Sequence, residues 1–340
     1  MKRCLSLISL LLLSNSVNAL EVEPYIVNGN TANIVNYPSF ASLFYRNNSV
    51  YSSSSYCGAT MINANYALTA AHCIYGDSNL MLYTVVTPQL EDEENFLSNQ
   101  QARASEFYYP DTYVDSSTAL WPDDIAIIKV ETPLSVSDYS SLLNTTTNDV
   151  YPSGGDYKAI GHGLENGNTA GGTQLLETTL TFVSNSACAS YYGANLTSSQ
   201  VCFSGAVSNG YQNSTCSGDS GGPVYWYNGS QYIQIGITSF GPTLCGDTSE
   251  PISSVFTEIY DYQNWINRVI TGLESPKYYV QTVNGRRTLI ENSSGNAVES
   301  ETVTEQSGGG GGSINLWWLF GLFFCFLWRT NEQTKIYIRG

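Results

Sequence analysis

The chain has 340 residues, with 13 Lys and Arg against 29 Asp and Glu and a net charge of −16 at pH 7. So acidic a surface repels a phosphate backbone and argues against nucleic acid as a partner. Aromatic residues make up 13% and charged residues only 12%, a composition that suits a β-rich secreted protein rather than a disordered one.

Residues 1–19 read as a secretory signal. Lys2 and Arg3 give the positive start, residues 5–13 the apolar core, and Val17-Asn18-Ala19 a small-residue cleavage site. The apolar run is too short to span a bilayer, and export puts the rest of the chain in an oxidising compartment. Residues 20–25 form a short spacer ending in Pro24-Tyr25. From there, short apolar segments alternate with turn residues. Residues 40–45, 59–62, 66–69, 80–86, 104–109 and 125–130 read as strands of one half. Residues 157–160, 174–182, 223–227, 232–238 and 254–259 read as strands of a second half. Many short strands without long helical periods predict an all-β barrel or sandwich. Trp265, Ile266, Val269 and Ile270 fall at helical spacing and predict a helix over 260–270.

Residues 272–307 read as a polar linker with a short strand at 278–283. Gly308 to Gly312 follow as an unbroken glycine run, the most flexible backbone there is. Residues 314–328 are apolar except for Asn315 and close on Arg329. As a helix they would reach only about 22 Å, short of a hydrocarbon core of roughly 30 Å.

The chemistry concentrates at Cys216-Ser217-Gly218-Asp219-Ser220-Gly221-Gly222-Pro223. Glycines permit the tight turn that lifts a serine hydroxyl from the surface, and such a turn aims successive N–H groups at one point. A serine is a poor nucleophile without a base, and the base needs an orienting group. The chain has two histidines, His72 in Thr-Ala-Ala-His-Cys and His162 between two glycines. Asp123 and Asp124 stand just before the apolar run Ile-Ala-Ile-Ile. Of the eight cysteines, Cys4 lies in the signal and Cys325 in the apolar tail. The remaining six allow fifteen pairings, which sequence alone leaves open.

Together, Gly-Asp-Ser-Gly-Gly-Pro, Thr-Ala-Ala-His-Cys, Asp-Ile-Ala-Ile-Ile-Lys and Ile26-Val27-Asn28-Gly29 resemble the trypsin/chymotrypsin family of serine proteases. The order His, Asp, Ser is that family's order. The resemblance covers residues 26–271 and implies two six-stranded antiparallel β-barrels with a C-terminal helix. Ser220 would be the nucleophile, His72 its base and Asp124 the orienting group, with the N–H groups of Gly218 and Ser220 as oxyanion hole. Asp123 is expected in solvent and His162 in a loop. Disulfides Cys57–Cys73, Cys188–Cys202 and Cys216–Cys245 are implied. So is cleavage between Tyr25 and Ile26, freeing an ammonium that would pair with Asp219. Ser214 would floor the primary pocket, Ser239, Phe240 and Gly241 would bind substrate backbone, and Ser254 would narrow a wall. A neutral open pocket suits aromatic or large apolar side chains; a narrowed one suits small apolar side chains, as in elastases.

The glycine run, short apolar stretch and arginine resemble the GlyGly-CTERM sorting tail of bacterial secreted proteins. A retained anchor and a GPI-type signal are the rival readings, and residues 330–340 depart from the usual tail. The expectation is therefore a secreted or cell-surface serine endopeptidase, made as a zymogen and monomeric. It would meet protein or peptide substrates and the secretion and tail-processing machinery. The alternative class is a protease-like fold used as an adhesin. No cofactor or metal is expected. Glu91-Asp92-Glu93-Glu94 could suit Ca²⁺ but reads as a solvated acidic loop.

Overall fold

The computed structural model describes residues 26–139 and 151–292, and the backbone of 337–339. The signal, Tyr25, the glycine run and the apolar tail lie outside the described residues. No helix among those described is long and apolar enough to cross a membrane.

Six strands build the first half: β1 Phe40–Tyr45, β2 Cys57–Asn63, β3 Tyr66–Thr69, β4 Thr84–Pro88, β5 Ala102–Tyr108 and β6 Ala126–Val130. All pairings are antiparallel, in the order β5-β4-β1-β2-β3-β6, and β6 pairs back on β5 to close the barrel. Closure leaves only the ends of strands that run past their neighbours unpaired. The second half repeats the arrangement with β7 Tyr157–Gly161, β8 Leu176–Val183, β9 Gln200–Gly205, β10 Pro223–Tyr227, β11 Tyr232–Pro242 and β12 Ser254–Glu258. Its order is β8-β9-β12-β11-β10-β7, closed by β7 on β8. Tyr157, Phe203 and Phe256 meet edge to face in its core, the geometry that aromatic quadrupoles favour.

Most expected strands form within a residue or two of their predicted ends. Residues 80–86 do not. Ser78–Tyr83 is a short helix, α1, capped by the Asp77 carboxylate on the Leu80 N–H, and the strand begins only at Thr84. Strand β9 and helix α2, Asn185–Tyr192, have no counterpart in the sequence reading. The C-terminal helix α3, Gln263–Ile270, buries Ile266 and Val269 and exposes the polar face between them.

Part of the segment read as a linker is structured. Strands β13 Tyr278–Val283 and β14 Arg286–Glu291 form a hairpin, and β13 adds to the first barrel through Tyr278 opposite Phe107 and Tyr279 opposite Glu106. Its turn is Asn284-Gly285, both with positive φ, the pair a tight two-residue hairpin favours. Leu289 buries its side chain in the first barrel's core.

Candidate active site

His72 comes from a single turn, Ala71–Cys73, that follows β3 directly. Ala70 and Ala71 are fully buried, so the small side chains let the turn sit against the barrel. Cys73 is tied to Cys57 on β2 by a disulfide, which limits the turn's freedom to move. Asp124 lies two residues before β6, at the first barrel's edge. Ser220 comes from the turn before β10 in the second barrel. The three side chains meet at the seam. His72 Nε2 is 2.7 Å from Ser220 Oγ, and His72 Nδ1 is 2.7 Å from Asp124 Oδ2.

Asp124 is fully buried, and a buried carboxylate must be met by donors. The His72 backbone N–H donates to Oδ1 at 2.9 Å, and Ser239 Oγ donates to Oδ2 at 2.6 Å. Thr257 Oγ1 donates to the Asp124 carbonyl at 2.8 Å. Ser239, expected along the substrate strand, thus turns its hydroxyl onto Asp124. Nothing local in sequence marks this contact, which spans 115 positions. Asp123 is not simply solvated: it accepts from the Tyr262 hydroxyl at 2.5 Å.

The glycines around Ser220 have reasons beyond turn formation. A Cβ at Gly221 would lie 2.1 Å from Thr69 Oγ1, and one at Gly58 would lie 2.7 Å from the Gly222 Cα. The backbones of the two barrels touch here, and the Gly58 N–H donates to the Ser220 carbonyl at 2.7 Å. Gly218 has φ +102°, accessible to glycine and strained for other residues. The N–H groups of Asp219, Gly221 and Gly222 donate to carbonyls of Cys216, Thr238 and Asp219.

Asp219 is also fully buried. Its carboxylate accepts from the Gly163 N–H at Oδ1 and the Cys216 N–H at Oδ2, both at 2.8 Å. Burial pushes its pKa up to about 7, only partly offset by those two bonds. A Cβ at Gly161 would sit 2.1 Å from Oδ1, and one at Gly163 would sit 2.5 Å from Cγ. The two glycines flanking His162 therefore make room for Asp219. His162 lies in the bend just after β7, as expected of a loop residue, but is not exposed. It is buried against Phe40 with Nδ1 3.5 Å from Ser42 Oγ, and burial lowers its pKa to about 4, so it is neutral near pH 7. Ile26 is buried, and the Val27 N–H donates to the Ser214 carbonyl at 3.2 Å.

Ser214 is fully buried, and its hydroxyl has no hydrogen-bond partner among the described residues. Ser254 Oγ accepts from the Thr215 N–H at 2.9 Å and lies 3.0 Å from Thr215 Oγ1. Phe240 is buried between Trp121 and Tyr192, with ring centroids 5.4 and 5.6 Å away. Trp121 and Tyr192 were not singled out from sequence. Beyond Phe240, the strand edge takes an added antiparallel partner: Arg339 opposes Phe240 and Ile338 opposes Gly241. The cysteines form Cys57–Cys73, Cys188–Cys202 and Cys216–Cys245. The acidic loop is not wholly solvated. Glu93 is buried and accepts from the Ser55 N–H at 2.7 Å and from its hydroxyl at 2.6 Å, while Asp92 accepts from the Glu94 N–H at 3.0 Å.

Two closed six-stranded barrels with serine, histidine and aspartate at their seam define a chymotrypsin-like fold. The trypsin family profile matches residues 26–266. Chymotrypsin-like elastase family member 1 of Felis catus is 29% identical over 282 residues, covering 79% of this chain and 99% of the relative. Its counterpart in Canis lupus familiaris is 30% identical over 261 residues, covering 74% and 94%. Neuropsin, a serine protease expressed in the limbic system of mouse brain, superposes with a TM-score of 0.59 at 23% identity, over 72% of this chain and all of that one. The chain belongs to the trypsin family of serine proteases.

Proposed function

We propose that the protein is a secreted serine endopeptidase that works through Ser220, His72 and Asp124. The observation that carries this reading is the continuous relay of two 2.7 Å contacts from Ser220 through His72 to Asp124. Ser220 Oγ attacks the scissile carbonyl, His72 takes the proton and returns it to the leaving amine, and Asp124 holds the imidazole and its positive charge. The N–H groups of Gly218 and Ser220 receive the oxyanion, each donor contributing about 3 kcal/mol in the transition state. The strand edge at Phe240 and Gly241 holds substrate backbone by strand addition, and its pairing with residues 337–339 supports that use.

In the primary pocket, Ser214 carries no charge to balance an Arg or Lys side chain. Aromatic or large apolar residues are the preferred side chains. The Thr215–Ser254 hydroxyl contact across one wall favours a narrower, elastase-like pocket as the second reading.

Asp219 gives a reason for zymogen control. It is buried without a cation among the described residues, and cutting after Tyr25 would supply the Ile26 ammonium. Tyr25 fits the neutral pocket, so cutting by a second copy of the enzyme is part of the proposal. The signal at residues 1–19 directs export, and the glycine run marks the site where the tail is removed.

A fluorophosphonate probe tests the core of this reading. It should label Ser220 in the matured protein, not label Ser220→Ala, and label His72→Ala far more slowly. Equal labelling of His72→Ala would sink the assignment of the base. A panel of chromogenic peptides separates large from small side-chain preference. Mass spectrometry of both mature termini should find Ile26 first and an end near residues 308–312. Ser220→Ala made alone should keep residues 20–25, and finding it already cut would assign maturation to another protease.

A further inference from the structure

Between residues 26 and 292 the chain has only five arginines, and three of them gather at one place on the first barrel. Arg103 lies on β5 in register with Val85 on β4. Arg46 follows β1, and its N–H donates to the Tyr83 carbonyl at 2.9 Å. Arg287 comes from β14 of the hairpin. Its Nη2 donates to the Ala104 carbonyl at 2.8 Å and its Nε to the Leu82 carbonyl at 3.1 Å. The carboxylate among them is Glu131, which pairs with Arg287 and whose N–H donates to the Arg103 carbonyl at 2.8 Å. Three guanidinium charges thus face one carboxylate, a local surplus of two positive charges inside a chain of net charge −16.

The surplus borders a cavity of about 280 Å³, lined by Arg46, Val85, Gln101, Ala102 and Arg103. Arg46 Nη1 is held by the Gln101 side-chain oxygen, and Gln101 Nε2 donates to the Phe96 carbonyl at 3.1 Å. Arg103 Nη1 is buried and has no acceptor among the described residues. A buried guanidinium nitrogen without an acceptor is costly, and native structures rarely leave one so. Water could accept its proton but would leave the charge surplus in place. A doubly charged oxyanion would answer both deficits, and the guanidinium fork matches its geometry.

We propose that this cavity is a binding site for a small tetrahedral oxyanion of phosphate or sulfate type, held by Arg103 and Arg46, with Arg287 supplying the third charge. The cavity is at the low end of ligand-pocket volumes, which suits such a group rather than a large organic ligand. Burial first, then the Arg287 and Arg46 charges, hold the Arg103 guanidinium below its ordinary range; Glu131 and Tyr83 oppose them. Arg287 belongs to the hairpin beyond the matched family segment of residues 26–266, so the bound anion would fasten the hairpin to the barrel. The site lies at the other end of β6 from Asp124, roughly 20 Å of strand away, so its occupancy should leave the chemical step alone.

Calorimetric titration of the full matured protein with sodium sulfate and with sodium phosphate tests this, using sodium chloride at equal ionic strength as control. Saturable binding of one oxyanion per chain, with a rise in Tm that chloride does not reproduce, is expected. Arg103→Gln should weaken binding by about tenfold or more while kcat/KM for a chromogenic peptide stays unchanged. Arg103→Lys keeps the charge without the fork and should fall between the two, which provides a readout if Arg103→Gln folds poorly. Methyl phosphate distinguishes the source of the group: binding as tight as inorganic phosphate means the oxyanion can be carried on a larger molecule, and no binding means the free ion is the ligand. Absence of saturable binding by the unaltered protein, or equal affinity in Arg103→Gln, overturns the proposal.

Discussion

Asp124, at the edge of the first barrel, is surrounded by donors: the His72 N–H and ring from its own barrel and the Ser239 hydroxyl from the second all reach its carboxylate. Among the described residues, the second barrel gives Asp219 two backbone N–H groups and no cation. Both carboxylates are fully buried, yet Asp124 is provided for within the chain as written, whereas Asp219 is pushed up to about pH 7. The contrast teaches that burial alone does not decide what a carboxylate does. One half of the site is complete as folded; in the other, no positive charge among the described residues meets the carboxylate. Charge withheld from a buried site is a handle on the site's assembly.

The largest effects should come from the complete half and its nucleophile. Ser220→Ala should lower kcat on peptide substrates by about 10⁶-fold, and Asp124→Asn by about 10⁴-fold through loss of the correct imidazole tautomer. Steady-state kinetics on matured protein checks both. A far smaller loss in Asp124→Asn would mean that Ser239 and the backbone orient His72 without the carboxylate.

Asp219 sharpens the contrast through pH. Its folded pKa stands above its unfolded value of 3.8, so the folded, uncut chain holds this proton longer than the unfolded chain. Folding stability from this group therefore falls as pH rises from about 4 to about 7, by roughly 4 kcal/mol at the top of the window. In uncut Ser220→Ala protein, adding Asp219→Asn should remove that decline. His162 acts in the opposite sense: its lowered pKa makes stability fall as pH drops from 6.5 through about 4. Urea midpoints of the two proteins, compared pairwise from pH 4 to 8, isolate the Asp219 contribution. A parallel pair of curves would show that Asp219 already has a counter-charge in the uncut chain.

The hairpin tests whether the first barrel is complete without its extension. Leu289→Ala should cost about 3 kcal/mol, because Leu289 is buried in that barrel's core. An effect of similar size is expected at Glu93. Burial pushes its pKa to about 7 against the Ser55 bonds, so the charged form is penalised above its unfolded pKa and fully so above pH 7. Glu93→Gln should gain roughly 3 kcal/mol at pH 8 relative to pH 4. Thermal melts at the two pH values read the difference.

Much of the site was legible because turn chemistry and short-range pattern are local. Ser220 declared itself by its glycines, Asp124 by the apolar strand after it, and His72 by being one of two histidines. The hairpin could have been found from Asn284-Gly285 between alternating residues. The strand expected at 80–86 failed because Asp77 caps a helical turn there, a local signal that the run of apolar residues masked. The roles of Ser239, Trp121 and Tyr192 were not legible. Each depends on residues from the other barrel or a distant loop arriving at the same place.

By itself, then, the sequence determined the two sets of short strands, the order of histidine, aspartate and serine, and the neutrality of Ser214, since these rest on residue type and spacing within a few positions. Only the tertiary structure decided which charges are met and which are not. Asp124 and Asp219 are the same residue type, and both are fully buried. What separates them is the set of donors that folding carries to each, from positions up to 115 residues away, into a medium where a missing partner costs far more than in water.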